Sequence, residues 1–170
     1  INTNVKRDDG YFANATALDF LLERGGLHAF SALGAFSHRD IATDPNGFMY
    51  RLNWSKIRGK FRYGITHRTE SDTYNPNDMG FAYNTNKNVD QINISYSNNN
   101  PGKRLLNWYL GSNFTRETLF EYDQFKYLQF SFSGSCTFKN HFSMGFNSNI
   151  RPVYGYDYDE PRVEGFKYKT

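Results

Sequence analysis

Residues 128–138 read LQFSFSGSCTF, in which an apolar or small side chain occupies every second position. Leu128, Phe130 and Phe132 fall on one parity, and Gln129 and Ser131 fall on the other. Successive side chains of a β-strand point to opposite faces, so the stretch predicts a strand with one apolar and one polar face. A tilted strand needs about nine to eleven residues to cross a bilayer, whereas strands of soluble domains usually have about five or six. The length therefore favours a membrane strand.

The segment that follows, residues 142–150, repeats the alternation after a short turn at Lys139 and Asn140, which predicts a tight hairpin. The same pattern predicts six further strands, at residues 12–22, 27–37, 50–55, 61–66, 89–96 and 106–115. The first two of these are rich in small residues, and their pattern leaves open which face points outward. About eight strands in sequence predict an all-β fold, an antiparallel up-and-down transmembrane β-barrel.

The predicted connections alternate in length. Short ones lie near residues 24–26, 58–59, 98–103 and 139–140, and longer ones near residues 40–46, 68–85 and 117–125. Membrane barrels have short turns on the periplasmic side and longer loops outside. A soluble β-sandwich with an aromatic-rich core is the alternative, and it gives no reason for short turns at one end only.

Composition agrees with a barrel. The mean hydropathy is −0.74, no run of about eighteen apolar residues is present, and aromatic residues make up 18% of the chain. The net charge of +3 is modest and the Lys and Arg residues are scattered, which disfavours nucleic-acid binding. The single cysteine, Cys136, falls on the apolar parity as a small hydrophobe. The partner expected first is outer-membrane lipid.

The ends of the sequence predict a fragment. The chain opens at Ile1 with neither an initiator Met nor a signal peptide, and residues 154–170 are polar and aromatic like another outer loop. Eight strands that start after a loop at residues 8–10 would place both ends on the long-loop side. We therefore expect residues 1–170 to be a single domain, part of a larger barrel in a longer chain.

Two motifs resemble a known family. They are residues 70–81, ESDTYNPNDMGF, with the polar residues 84–88 after them, and near the end RPV at residues 151–153 with YDYDEPR at residues 156–162. These resemble large outer-membrane proteins of Gram-negative bacteria that join an N-terminal carbohydrate-binding-like domain of the family nine type to a C-terminal domain of unknown function. The resemblance covers most of residues 47–165. It implies a barrel-like C-terminal domain in the bacterial outer membrane, and it supplies no catalytic residues.

The loop at residues 72–78 carries four oxygen-bearing side chains, which are Asp72, Asn75, Asn77 and Asp78. Such a cluster could hold a calcium ion, which takes six to eight oxygen ligands, although the spacing does not match an EF-hand. The alternative is a plain turn, because Asp and Asn side chains bond their own backbone and Pro fixes φ.

The final stretch combines aromatic rings with acids in Tyr156, Asp157, Asp159 and Glu160. Carboxylates hydrogen-bond sugar hydroxyls and aromatic faces stack on pyranose rings, so a glycan site is one interpretation, and glycoside hydrolysis would need a pair of such acids. The other is an acidic solubilising loop. The four histidines have no metal-like spacing. No catalytic residue and no metal site is predicted.

Three functional classes remain open. The first is a transport or surface-anchoring barrel, linked to carbohydrate through the resemblance, with outer loops that contact glycans or partner proteins. Its lumen would be lined by Arg51, Asn53, Arg62, Asn107, Asn113, Gln129 and Asn147, with Asp19 as a further lumen candidate. The second is a structural subunit of a larger outer-membrane complex, packed through a strip of small residues at Ala13, Ala15, Ala17, Ala29, Ala32 and Ala35. The third is a surface enzyme that acts through the acidic tail.

Overall fold

The computed structural model describes residues 1–8, 10–40, 45–77, 85–158 and 168–169. Nine strands form one antiparallel sheet in which every strand pairs with its neighbours in sequence. They are β1 (Asn2–Lys6), β2 (Phe12–Arg24), β3 (His28–Arg39), β4 (Asn46–Lys56), β5 (Phe61–Glu70), β6 (Lys87–Asn98), β7 (Leu105–Thr118), β8 (Phe125–Phe138) and β9 (Ser143–Ile150). A separate ribbon pairs β10 (Tyr156–Asp157) with β11 (Tyr168–Lys169). The all-β, antiparallel, up-and-down prediction is confirmed.

One strand of the sheet, β1, lies outside the eight that the sequence predicts. It pairs with β2 so that Asn2 lies opposite Thr16 and Asn4 opposite Asn14. Across the two strands Asn2 donates to Thr16 and Asn14 donates to Asn4, and within β1 Asn4 donates to Asn2. Because β1 presents amides where the other strands present apolar groups, its sequence shows no apolar alternation. The loop at residues 8–10 is therefore a connection between two strands and does not precede the first one.

The sheet is open. Its two edges are β1 and β9, and the order of strands runs from one to the other without closing. The predicted barrel is thus not closed by the strands that the structure describes in this chain. An open edge presents unpaired backbone N–H and C=O groups that can pair with a further strand.

The connections at one end of the sheet are residues 25–27, 57–60, 99–104 and 139–142. Those at the other end are residues 7–11, 40–45, 71–86 and 119–124. The predicted contrast in length weakens between 99–104 and 119–124, which are equally long. The reason is that β7 runs on to Thr118 and β8 begins at Phe125, so these strands take up residues that the sequence assigned to the loop.

The two faces of the sheet differ in chemistry. One face, called the apolar face here, carries exposed large side chains on every strand from β2 to β9, for example Leu18 (77% exposed), Phe20 (52%) and Phe146 (56%). The buried apolar side chains in the described ranges are Ala13, Ala29 and Met49, and register places all three on the opposite face. At its long-loop end the apolar face is covered by residues 119–124, where Phe120 packs against Phe48 and Asp123 accepts from the buried Thr118 hydroxyl. The rest of the apolar face is exposed in the described chain. No described helix is long and apolar enough to cross a membrane.

Neighbouring strands are staggered. A line of paired residues crosses the sheet from Arg24, at the end of β2, to Phe132 in β8. Between these two it passes through His28, Lys56, Tyr63, Ile94 and Ser112. Phe132 lies six residues before the end of β8 at Phe138. The end of the sheet therefore moves along the strand direction by about one residue at each step from β2 to β8.

Candidate functional site: the polar face

The face opposite the apolar one, called the polar face here, is formed by small and hydrogen-bonding side chains. Asn53 of β4 donates from Nδ2 to Oγ1 of Thr66 on the neighbouring strand β5 at 2.7 Å. Gln129 of β8 donates to Oγ of Ser131 at 3.2 Å. The structure places all seven predicted lumen residues on this face by register, namely Arg51, Asn53, Arg62, Asn107, Asn113, Gln129 and Asn147.

A depression of about 540 Å³ lies on the polar face. Its lining extends from Ser31 on β3 to Tyr127 on β8, five strand spacings away. Strands in a sheet lie about 4.8 Å apart, so a flat sheet would separate these two strands by about 24 Å. One depression of this size can touch both only if the sheet curves around its polar face.

Charged groups meet in this depression. Arg51 of β4 and Arg68 of β5 are directly opposite each other in register, and both line it together with Lys87 of β6. The Glu70 carboxylate, whose side chain is 3% exposed, accepts from the Arg68 guanidinium and lies 3.4 Å from Lys87 Nζ. Burial of a carboxylate is costly unless it is paired, so these two cations stabilise Glu70 at this buried position.

A second ion pair borders the depression on the side of β7 and β8. Lys126 Nζ lies 3.0 Å from the Glu117 carboxylate, and both side chains are largely buried. Arg151, just after β9, stacks its guanidinium over the Tyr127 ring and donates to Gln129 Oε1 at 3.2 Å. The polar face therefore holds an extended set of charged groups in addition to amides and hydroxyls.

The loop that follows β5 folds onto the polar face. Its backbone N–H at Asn75 donates to Oγ of Ser37 at 3.0 Å, and Ser71 Oγ accepts from the Phe48 N–H at 3.0 Å. A Cβ atom at Gly47 would overlap the backbone of residues 73–74. The glycine is what allows this close approach, since it has no side chain to meet the loop. Residues 71–77 thus partly cover the polar face at the long-loop end of β3 and β4.

The pKa of Tyr74 depends on the position of this loop against the polar face. Burial raises the pKa of the Tyr74 phenol above its ordinary value, the nearby Glu70 carboxylate raises it further, and Arg68 lowers it. In Glu70→Gln we expect the pKa of Tyr74 to fall toward 10 but to stay above it, because burial remains. NMR titration of ¹³C-tyrosine-labelled protein, with the resonance assigned by Tyr74→Phe, measures this. An unchanged pKa in Glu70→Gln would show that the loop does not lie against Glu70 in solution.

The chain matches a domain of unknown function (DUF5916) over residues 1–170. The chain belongs to this family. Neither the curated proteins nor the solved structures give a match. Membership of the DUF5916 family agrees with the domain of unknown function in the resemblance drawn from the sequence. The outer-membrane location and the carbohydrate-binding-like partner domain stay predictions.

In this DUF5916 domain, the predicted calcium-loop residues Asp72, Asn75 and Asn77 are described, while Asp78 lies outside the described residues. Asn75 Oδ1 accepts from the Asn77 backbone N–H at 3.0 Å, which is the Asx turn that the alternative interpretation expects. In the described ranges, no three His, Cys, Asp or Glu side chains are grouped so that they could hold a metal ion. The calcium site stays untested.

The predicted glycan residues lie at the end of the described chain. Tyr156 and Tyr158 have ring centroids 6.2 Å apart, and the Tyr158 hydroxyl donates to the Phe125 carbonyl at 3.2 Å. This bond fixes the start of the tail against β8. Asp157 belongs to β10, but its side chain, like Asp159 and Glu160, lies outside what the structure describes.

The alanines proposed for a packing strip fall mostly on the polar face. By register Ala13, Ala15, Ala17, Ala29 and Ala35 share that face, and only Ala32 lies on the apolar one. Ala13 is buried at the end of the sheet where the loop at residues 71–77 contacts Ser37, whereas Ala29 is buried at the other end of β3, opposite Glu23 and Ser55. The small residues therefore make room inside the curve of the sheet. Asp19 is exposed on the same face.

Sequence reasoning missed the charge cluster around Glu70. Arg68, Glu70 and Lys87 fall in or beside the stretch predicted as a long loop, at residues 68–85. The available signal was parity, because Arg62, Arg68 and Glu70 continue the alternation that marks the lumen side. Charged residues at the end of a strand are assigned to a loop when only the hydrophobicity of the sequence is considered.

Proposed function

We propose that this domain forms part of the wall of a bacterial outer-membrane β-barrel, with its apolar face toward lipid and its polar face toward a lumen that transports solutes. The observation that carries the proposal is that the apolar face is exposed except at its long-loop end, combined with the absence of buried apolar side chains from that face in the described ranges. Soluble monomers rarely expose apolar patches larger than a few hundred Å². Lipid is the environment in which such a face is stable.

Strand stagger supports a barrel. A shift of six residues along the strands corresponds to about 20 Å, and the six spacings from β2 to β8 correspond to about 29 Å. The ratio gives a tilt of about 35° relative to the axis around which the sheet curves. Membrane barrels have strands tilted by about 35–45°. Strands of 11 to 14 residues, such as β4 and β7, are long enough to cross a bilayer at that tilt.

Aromatic side chains gather at the short-turn end of the apolar face. Trp54 and Tyr63 have ring centroids 5.3 Å apart, and Tyr96 stacks on Trp108 at 5.0 Å. Trp and Tyr are enriched where a barrel meets the membrane–water interface, because their rings are apolar and their N–H or O–H groups are polar. These rings would form the periplasmic aromatic girdle.

A polar group on the apolar face marks the other boundary. His67, Asp90 and Arg116 lie side by side on β5, β6 and β7, with His67 Nδ1 2.7 Å and Arg116 Nη1 3.3 Å from the Asp90 carboxylate. Tyr50 contacts His67 at a ring-centroid distance of 5.6 Å. Charged groups are tolerated near the interface far better than at the centre of a bilayer. The cluster would lie within the outer leaflet beside the loop at residues 119–124, because Phe120 and Asp123 line the same cleft as His67, Asp90 and Arg116.

The open edges support the proposal that the complete barrel is larger. Lipid offers no hydrogen-bond partner for an unpaired backbone, so only closed barrels span membranes with strands. Further strands would have to pair with β1 and β9. A surface-anchoring role and a link to carbohydrate rest on the resemblance alone. An enzymatic role gains no support from geometry, because the carboxylates of the tail lie outside the described residues.

The test uses the full-length protein that contains this chain, extracted in detergent from bacterial outer membranes. We expect a band that migrates differently in gels before and after boiling, a β-rich circular dichroism spectrum, and stable single-channel conductance in planar bilayers. A heat-sensitive band without conductance would replace transport by a plugged or anchoring barrel. A protein that is soluble and monomeric without detergent would refute the membrane proposal.

A further inference from the structure

We propose that the depression on the polar face is an anion-binding constriction, and that the lumen passes small anions in preference to cations. This inference rests on the proposed barrel and adds its substrate class. The groups that carry it are Arg51, Arg68 and Lys87, which line one depression from three adjacent strands.

The placement of the two arginines carries a cost that an anion would offset. Arg51 and Arg68 are directly opposite in register, and like charges at opposite positions of neighbouring strands destabilise a sheet. Arg68 is paired with Glu70, whereas Arg51 forms no ion pair with any described residue. A bound carboxylate, phosphate or halide between the two guanidinium groups would relieve the repulsion.

The local charge is positive even when the carboxylates are counted. Glu70 is shared between Arg68 and Lys87, and Glu117 is taken by Lys126. Two carboxylates thus face four cations. The remaining acid nearest to Arg51 by register is Asp19, which lies two strands away and so at about 10 Å. Salt screens a charge over roughly this distance at physiological ionic strength, so Asp19 offsets little of the Arg51 charge.

The rest of the lining suits an anion better than a neutral sugar. Ser31, Asn53, Thr66 and Gln91 carry hydrogen-bond donors that can contact an oxyanion or a halide. Sugar sites use aromatic platforms, but Tyr127 is the one aromatic ring in the lining that the structure describes. Channels that select anions line their narrow part with Arg and Lys, and this face repeats that arrangement.

The experiment is the reversal potential of the full-length protein in a bilayer of neutral zwitterionic lipid, measured across a KCl gradient. We expect the sign that corresponds to chloride preference. Arg51→Gln and Arg68→Gln should each reduce the chloride-to-potassium permeability ratio by about sevenfold. One unit charge at about 7 Å in water changes the permeability of each ion by about threefold, and in opposite directions for chloride and potassium. Lys60→Gln, in the exposed turn at residues 57–60, removes the same charge away from the depression and should leave the ratio unchanged.

Arg51→Lys keeps the charge and should keep the preference, which separates charge from packing should a Gln variant fold poorly. Heat-modifiable migration is checked for every variant. A heat-modifiable protein that conducts without preference for chloride, or that does not conduct, overturns this inference and leaves the barrel standing. A protein that is not heat-modifiable overturns the barrel, and this inference with it. Equal permeability ratios for Arg51→Gln and Lys60→Gln would also overturn it.

Discussion

Ile92→Arg is expected to destabilise the membrane-inserted protein by about 2–4 kcal/mol, the cost of an arginine on the lipid face near the middle of a bilayer. Ile92 is 42% exposed on the apolar face, and register places Ile65 on one side of it and Phe114 on the other. It lies on β6 between the aromatic girdle at Tyr96 and the polar cluster at Asp90. An arginine here would have to desolvate in lipid or distort the bilayer around it.

The neighbouring residue supplies the matched control. Asn93 points to the polar face from the same strand, opposite Gly64 and Asn113. Asn93→Arg introduces the same side chain into a wet surface, and we expect a change within about 1 kcal/mol. Urea titration of the protein refolded into lipid vesicles, followed by tryptophan fluorescence, gives both free energies of unfolding.

The dependence of the arginine cost on depth in the membrane distinguishes contact with lipid from contact with a protein that covers the apolar face. The cost of arginine relative to alanine on the lipid face falls from about 2–4 kcal/mol at the midplane to about 0–1 kcal/mol at the interface. Arginine and alanine are therefore compared at Ile92 and at Tyr96, which share a strand and a face. A cost as large at Tyr96 as at Ile92 would contradict lipid contact and would indicate that a protein surface covers this face.

The sequence predicts the strands because one physical cause, the alternation of apolar and polar side chains, acts at nearly every position. It fails at β1, where Asn2 and Asn4 face the apolar side at the edge of the sheet and hydrogen-bond with Asn14. An edge strand that presents amides has no hydrophobic signature. The tilt also lies beyond sequence reasoning, since it depends on how each strand registers with the next, from Arg24 across to Phe132.

In the candidate site, too, the sequence predicts the features that depend on local pattern and misses those that depend on strand pairing. Parity predicts that Arg51, Asn53 and Arg62 share a face, because parity is local. That Arg51 lies opposite Arg68 depends on the pairing of β4 with β5, and that Lys87 forms an ion pair with Glu70 depends on the pairing of β5 with β6. The inward course of residues 71–77 depends on a space left at Gly47. A glycine inside a predicted strand is a general sign of close backbone approach, but it does not say which segment approaches.

Gly47→Ala is the second substitution with a large expected effect, and it acts on the loop rather than on the membrane wall. The new Cβ would overlap the backbone of residues 73–74, and backbone cannot move aside as a flexible side-chain tip can. We expect the loop to lose about 1–3 kcal/mol of its attachment to the polar face, the usual cost of forcing extra atoms into a packed site. The population with the loop released should then rise about 5- to 150-fold.

Chymotrypsin cleavage after Tyr74, followed in detergent by mass spectrometry, measures this population as long as the loop opens and closes faster than it is cut. Gly34→Ala is the matched control, because Gly34 also lies in a strand but has no atom within 4 Å of its Cβ position. Its cleavage rate should equal that of the unmodified protein.

In the barrel proposed here, release of the loop would uncover Ser37 and the ends of β3 and β4 inside the lumen, so Gly47→Ala should also raise single-channel conductance. Faster cleavage at Tyr74 without a change in conductance would show that the loop lies outside the narrowest part of the pore, whereas unchanged cleavage would contradict its placement on the polar face.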